Sequence, residues 1–489
     1  MVRHRRTFAS GVPRVLLAVA AVALAVEAIA EEPAGTSRPG RVRVAAVDAQ
    51  RLRYEGKSFA QWQEQFLTEL EPTSRLAALR ALAKFGRHGY AEESAATIAT
   101  ALDDDHSELV DSALAELGGL GEAAVPYLVE ALERSRREPK QVAVRRGCLA
   151  ALGRIGPKAE SGAPAIFETL VDLAAPAGES SPPSKDVELA RDALLHLGKA
   201  AVPTLIAALS GGAPPSVEAS LMLLQALGPV AAEAVPALIG ILARDEAAPR
   251  RGAANALSAM REKAAPATEP LLGMLHDPNV EVRADAAAAL WRIAPGSESV
   301  LAALGEAVRE KSGLVARRLA LAFEAPPAEA AERSAGSYGD AMSRSHGAET
   351  SLDRSVREHP HAAVALLLEV LRSPGFDCSR REGRELATSV MGIVQRLGPR
   401  AEAAVPALIE LARHKLAHIR CGAIDALGAV GAAARDAVPV LTELVGDSQR
   451  PYTQRRTALR IQPVDPSDTV GRHAAAALAR IQGDDAQDR

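Results

Sequence analysis

One short phrase constrains this chain more than any other feature. Ala124-Val125-Pro126-Tyr127-Leu128-Val129 returns as Ala201-Val202-Pro203-Thr204-Leu205-Ile206 and as Ala234-Val235-Pro236-Ala237-Leu238-Ile239. It returns again as Ala404-Val405-Pro406-Ala407-Leu408-Ile409 and Ala437-Val438-Pro439-Val440-Leu441. The prolines at 126, 164, 203 and 236 stand 38, 39 and 33 residues apart, and those at 406 and 439 stand 33 apart. A period of this size marks stacked helix pairs that share one elongated core. Proline suits the first turn of a helix, where its missing N–H has no partner to lose. Val235, Leu238, Ile239 and Leu242 then fall at i, i+3, i+4 and i+7, one helical face. A second helix follows and ends in Ala151-Leu152-Gly153, Ala226-Leu227-Gly228 or Ala426-Leu427-Gly428, where small residues allow close approach and glycine stops the helix.

Composition agrees. Aromatic residues are 3% of the chain, and Ala and Leu, strong helix formers, dominate the apolar set. At 489 residues the chain is too long for one compact core. The predicted fold is all-α, an α-solenoid. A net charge of −4 gives no bulk reason to expect nucleic acid as a partner.

These units resemble HEAT repeats, in particular the bacterial PBS-lyase-type HEAT-like repeats, over most of residues 58–485. The resemblance implies on the order of ten repeats of about 40 residues, arranged as a superhelix that holds another protein. It also implies a ladder between neighbouring repeats, made by an Asp in the inter-helix turn and an Arg early in the second helix. Counting back seven from the Ala-Leu leucine gives Arg75, Arg145, Arg250, Arg283 and Arg420, with Asp277 and Asp245 in the preceding turns. Val110, Ala190 and Ser220 occupy that position elsewhere, so the ladder is patchy. The arginines could instead form an anion-binding stripe; the acidic residues at hand favour the structural reading.

The helical phrasing breaks at 176–185, at Pro326–Arg354 and at Arg460–Val470. The second break, rich in Ser, Gly and Ala, either links two arrays or is a long loop within one. The expected layout is therefore a capped array over 54–325, a linker or loop over 326–355, further repeats over 356–485 and a tail over 486–489.

Ahead of the array, Arg3, Arg5, Arg6 and Arg14 precede the apolar run Val15–Val26, and Ala28-Ile29-Ala30 supplies a signal-peptidase pattern. The run falls short of the roughly 20 residues of a membrane span. Residues 1–30 read as a cleaved signal peptide and 31–53 as a linker, which places the chain in the periplasm or outside the cell. A membrane enters only if this segment stays uncleaved. Cys148, Cys378 and Cys421 are too few and too widely spaced for a disulfide framework or a CxxC metal site.

Candidate chemistry is sparse. Gly56-Lys57-Ser58 resembles the end of a phosphate loop, but Arg51 stands where a Walker motif needs its first glycine. Ser58 with Gln61 reads instead as a capping box, opening a helix on which Phe59, Trp62, Phe66 and Leu70 share a face and close the end of the array. His414 and His418 stand at i, i+4 but straddle a helix start, and His359-Pro360-His361 lacks neighbouring ligands. Asp103-Asp104-Asp105 lacks the glycine of a calcium loop. No nucleophile elbow, haem motif or dinucleotide cradle is present. The expectation is a non-enzymatic scaffold or adaptor for an envelope or extracellular protein, with no cofactor. A lyase or chaperone-like factor resembling the phycobilisome lyases is the alternative.

Overall fold

The computed structural model describes residues 52–138, 141–174, 184–309, 313–324, 352–373, 376–378, 380–451, 454–456, 461–463 and 468–483. The expected signal peptide, most of the linker after it, the Pro- and Ser-rich loop and the tail lie outside these residues. The chain divides after Arg53, and the elements below all belong to the unit Tyr54–Arg489.

Within that unit the described residues form an α-solenoid of eleven helix pairs. The first four pairs are α1 (Phe59–Thr68) with α2 (Pro72–Gly86), α3 (Ala91–Ala99) with α4 (Ser107–Leu120), α5 (Val125–Arg137) with α6 (Val142–Ile155), and α7 (Ala163–Ala174) with α8 (Lys185–Leu197). Next come α9 (Val202–Gly211) with α10 (Pro214–Leu227), α11 (Val235–Leu242) with α12 (Ala247–Met260), α13 (Thr268–Met274) with α14 (Val280–Ile293), and α15 (Glu298–Val308) with α16 (Leu314–Ala322). A short helix α17 (Arg354–Glu358) leads to α18 (Pro360–Arg372) with α19 (Arg381–Leu397), α20 (Val405–Ala412) with α21 (Ala417–Val430), and α22 (Val438–Leu444) with α23 (Val470–Gln482).

The recurring phrase opens first helices. Val235, Leu238, Ile241 and Leu242 are buried on α11, and Pro236 occupies its first turn. Most second helices pack closely on the next, and first helices touch one another much less; at α8–α10 and α16–α19 the two layers meet about equally. Small residues explain the difference. A Cβ placed on Gly153 would stand 3.1 Å from the Ala193 Cα, and one on Gly428 would stand 3.1 Å from the Ala477 Cα. Those glycines therefore lie inside α6 and α21 and form the contact to the next second helix. They do not stop the helix, as the sequence reading supposed.

The stop falls three residues later in these two repeats. Gly156 and Gly431 adopt left-handed φ of 65° and 67°, open to glycine at little cost. Gly121, Gly198, Gly228 and Gly398 do the same after α4, α8, α10 and α19. A 3₁₀ turn then leads into the next first helix, as over Gly228–Ala234. Among the described second-helix ends of this type, α12 alone ends in a non-glycine left-handed residue, Arg261 at φ 53°.

Glu324 and Leu352 pair as an antiparallel bridge, and the Asp353 N–H donates to the Phe323 carbonyl at 2.9 Å. The stretch 325–351 thus departs and returns at one point, in the turn between α16 and α18. Second helices α16 and α19 pack on each other across it, as do first helices α15 and α18. The array is continuous, and Leu352–Arg354 belong to the folded unit rather than to the break.

The third break holds a small departure from helix. Strands β1 (Gln454–Arg456) and β2 (Ile461–Pro463) pair antiparallel, with Arg455 opposite Gln462. The pair sits over a closed base, where the Val470 and Gly471 N–H groups donate to the carbonyls of Gln449 and Asp447, each at 2.9 Å.

Candidate functional site

Arginines near the starts of second helices tie the repeats together. Arg250 of α12 grips Asp277 of the following turn through Nε and an Nη, both at 2.9 Å, and donates to the Asp245 carbonyl of its own turn at 2.6 Å. Arg420 of α21 reaches Asp447 at 2.8 Å and the carbonyls of His414 and Lys415. Arg145 of α6 grips Asp186 at 2.8 Å through Nε, and Arg75 of α2 pairs with Asp104. Arg283 donates to the carbonyls of Asp277 and Pro278 at 2.6 and 3.2 Å. Asp277 therefore serves both neighbours: its carboxylate takes Arg250 and its carbonyl takes Arg283. Forked guanidinium–carboxylate contacts fix both distance and orientation. Burial raises the Asp186 carboxyl, but hydrogen bonds from Arg146 and Arg145 outweigh it and hold the group below the ordinary carboxylate range.

Counting from the left-handed glycine corrects two ladder positions. The residue eleven before Gly156 is Arg145, but eleven before Gly198 and Gly228 stand Val187 and Val217, not Ala190 and Ser220. The Ala-Leu phrase of α10 is displaced by three residues, which a helical pattern tolerates.

Two further clusters went unseen in the sequence. Asp285 of α14 is fully buried and takes Arg251 of α12 at 2.8 Å and Arg318 of α16 at 3.0 Å. Asp353, also fully buried, takes Arg261 at 2.9 Å and lies 3.7 Å from Arg292, and its carboxylate caps the Ser355 N–H at 2.8 Å. Burial raises this carboxyl too, yet Arg261, foremost, brings it to a net value below the usual range. Both clusters join three consecutive repeats. The only signal for Arg261 was its place in line with the glycines.

At the amino end, Ser58 and Gln61 exchange both capping-box bonds, at 3.3 and 2.9 Å. The Trp62 indole N–H donates to the Tyr54 carbonyl at 2.9 Å, and the Lys57 ammonium lies 4.4 Å from the Trp62 ring centre. Phe59 stacks on Tyr90 at 4.7 Å, and Trp62 and Phe66 are buried. Lys57 thus covers an aromatic face. Leu70 departs from the expected face: α1 ends at Thr68, and Leu70 is 92% exposed.

His414 sits in the turn before α21, accepting from the Leu416 N–H at 3.1 Å, and His418 lies in the first turn of the helix. Burial, then neighbouring cations, lowers both imidazoles. His473 of α23 is different. It bonds Asp425 at 2.7 Å through Nδ1 and Asp468 at 2.9 Å through Nε2. Asp425 is the main cause that pushes it up to about 11, so it stands as an imidazolium clamping α21 to the base of the hairpin. Burial pushes the Cys148 thiol up to about 12. Among the described residues no group of three or more His, Cys, Asp and Glu is placed to hold a metal ion.

Second helices of the first repeats each expose a stripe. On α2 it comprises Thr73, Ala77, Arg80 and Lys84; on α4, Glu108, Asp111, Ala115 and Gly119; on α6, Ala143, Ala150 and Arg154. On these three helices the stripes adjoin; on α14 the equivalent Asp285 and Ala288 are buried and on α21 no residue is fully exposed, so the stripe belongs to the amino-terminal part of the array. Small residues lie along its middle, with the acids on the first half of α4 and the bases on the second halves of α2 and α6.

Residues 364–462 match the family model described as HEAT repeats. No curated protein matches the chain. Among solved structures, an engineered protein is 18% identical over 87% of this chain and 99% of its own, with a TM-score of 0.28. Kap121p bound to Nup53p is 13% identical over 87% of this chain and 46% of its own, at 0.47. Human deoxyhypusine hydroxylase in complex with glycerol is 24% identical over 54% of this chain and 94% of its own, at 0.22. The chain spans about half the length of Kap121p.

Proposed function

We propose that this chain, which carries HEAT repeats, is an exported scaffold that holds a protein partner against the open side of its second helices and performs no chemistry of its own. The observation that carries the reading is the stripe of exposed side chains on α2, α4 and α6, presented by helices whose cores and ladder ion pairs are satisfied within the array. A rigid row of this kind offers a partner contacts spread over many repeats, each weak and together specific. The apolar run and small-residue site at the amino end support export to the periplasm or the medium. The test is affinity capture from envelope extract of the source cells with the tagged chain, followed by mass spectrometry. A stoichiometric protein, lost when the array is shortened, is the expected result. A retained pigment or small molecule with no protein would overturn the scaffold reading in favour of a lyase-like factor.

A further inference from the structure

The rim where second helices end carries bases in equivalent places. Nine residues after the ladder position stand Lys84 on α2, Arg154 on α6 and Arg292 on α14, and Arg396 precedes Gly398 as Arg154 precedes Gly156. The array itself shows what such a base takes. Arg292 lies 3.7 Å from Asp353 and Arg396 lies 3.3 Å from Glu324, both carboxylates on chain that crosses the rim beside a helix end.

At the amino-terminal end the same position has no such occupant. Arg80, Lys84 and Arg154 are exposed, and among the described residues no carboxylate meets any of them. Arg154 lies 3.5 Å from the Ala115 carbonyl, and Lys84 rests 4.0 Å from the Tyr54 ring centre and donates to its hydroxyl. The nearest rim acid, Glu116, is engaged by Arg87 at 2.6 Å. Asp111 and Glu108 stand about one and two turns back from Ala115 along α4. Between Lys84 and Arg154, α4 presents the small residues Ala115 and Gly119, with the Arg87 guanidinium beside Gly119, where it would stand 3.5 Å from an added Cβ and supplies a further cation to a segment laid across the helix ends.

Resting on the scaffold reading above, the geometry points to a specific docking mode: Arg80, Lys84 and Arg154 bind an acidic, extended segment of the partner protein, lying across the ends of α2, α4 and α6. Packed helices stand about 8–10 Å apart, so Lys84 and Arg154, two helices apart, are separated by roughly 20 Å. An extended chain rises about 3.3 Å per residue, so the matching carboxylates fall about six residues apart. The attraction is between exposed charges and is therefore screened by salt.

The probe is a fluorescein-labelled synthetic peptide with two glutamate pairs about six residues apart in a Ser/Ala background, followed by anisotropy against the full chain. Saturable binding is expected, weakened at least tenfold by Arg80→Glu/Lys84→Glu/Arg154→Glu, unaffected by Lys263→Glu at an exposed position in the turn after α12, and falling as salt rises. Because the three side chains are exposed, the triple variant should melt like the parent, which separates lost binding from lost fold. No binding, or equal binding to the triple variant, overturns the proposal. So does single-stranded DNA that binds the same three residues as tightly as the peptide. A partner captured equally by parent and triple variant overturns this docking mode and leaves the scaffold reading standing.

Discussion

Asp353→Asn should reveal how much the return of the chain at 352 depends on one carboxylate. The substitution keeps the side chain's shape and its oxygen for the Ser355 N–H, but it removes the anion between Arg261 and Arg292. Removing one partner of a buried pair costs about 3–5 kcal/mol, and the retained cap argues for the lower end, about 3 kcal/mol. Unfolding entropy is about 2.1 cal/mol/K per residue. If the whole unit of roughly 400 residues melts together, the midpoint falls only about 3–4 °C. A cooperative block of about 150 residues would show roughly 10 °C by the same relation. Calorimetry of both proteins therefore reads the size of the cooperative block as well as the pair. Arg261 sharpens the test, because it holds a left-handed backbone where its counterparts are glycine. Such strain costs about 1–3 kcal/mol. Arg261→Gly should cost less in the Asp353→Asn protein than in the parent, since the pair it would break is already weakened there. An equal cost in both backgrounds would refute the coupling. The pH dependence has a fixed direction as well. The folded carboxyl is depressed, so its contribution is present above its unfolded pKa near 3.9 and lost as pH falls through the folded value. The gap between parent and Asp353→Asn should close in acid.

Gly428→Leu should force α21 from α23, because even a Cβ there meets the Ala477 backbone at 3.1 Å. A loss of about 2–3 kcal/mol is expected, read as loss of hydrogen-exchange protection across 470–482. His473→Gln should loosen the hairpin base. Because the imidazole is pushed up to about 11, its contribution is complete below its unfolded pKa near 6.5, shrinks as pH rises and is gone above about pH 11, which urea titrations at several pH values will trace. Val235→Asp puts an unpaired carboxylate in a shared core and should unfold neighbouring repeats together, seen as one cooperative loss of ellipticity at 222 nm.

The pairing of helices was legible because its signal is local and repeated: proline in a first turn, then an apolar face. Ser58 and Gln61 were legible for the same reason, three residues apart in one turn. Ladder arginines could be counted from a leucine, but the count slipped at α8 and α10. There an apolar residue at i+3 serves a helix face nearly as well as one at i, and only backbone φ tells the stop from the interior. Asp353 could not be foreseen, since Arg261 stands 92 residues away and an unpatterned stretch intervenes. Asp285 sits in an alanine-rich run where one acid reads as a solvated face, and only the approach of α12 and α16 buries it. The face open to a partner was likewise unreadable, because exposure follows from which helix layer packs tightly.

That unequal packing gives the array a mechanical grain. Where second helices meet through glycine and alanine, as α6 meets α8 and α21 meets α23, backbones nearly touch and the layer has almost no room to compress. First helices are spaced more loosely and joined through longer side chains, so they can spread or close at little cost. A load along the array would be carried by the second-helix layer as by a stiff leaf backed by a softer one, with the arginine forks as its rivets. Binding along the second-helix side would engage the stiff leaf, whose residue spacing stays constant while the opposite layer flexes.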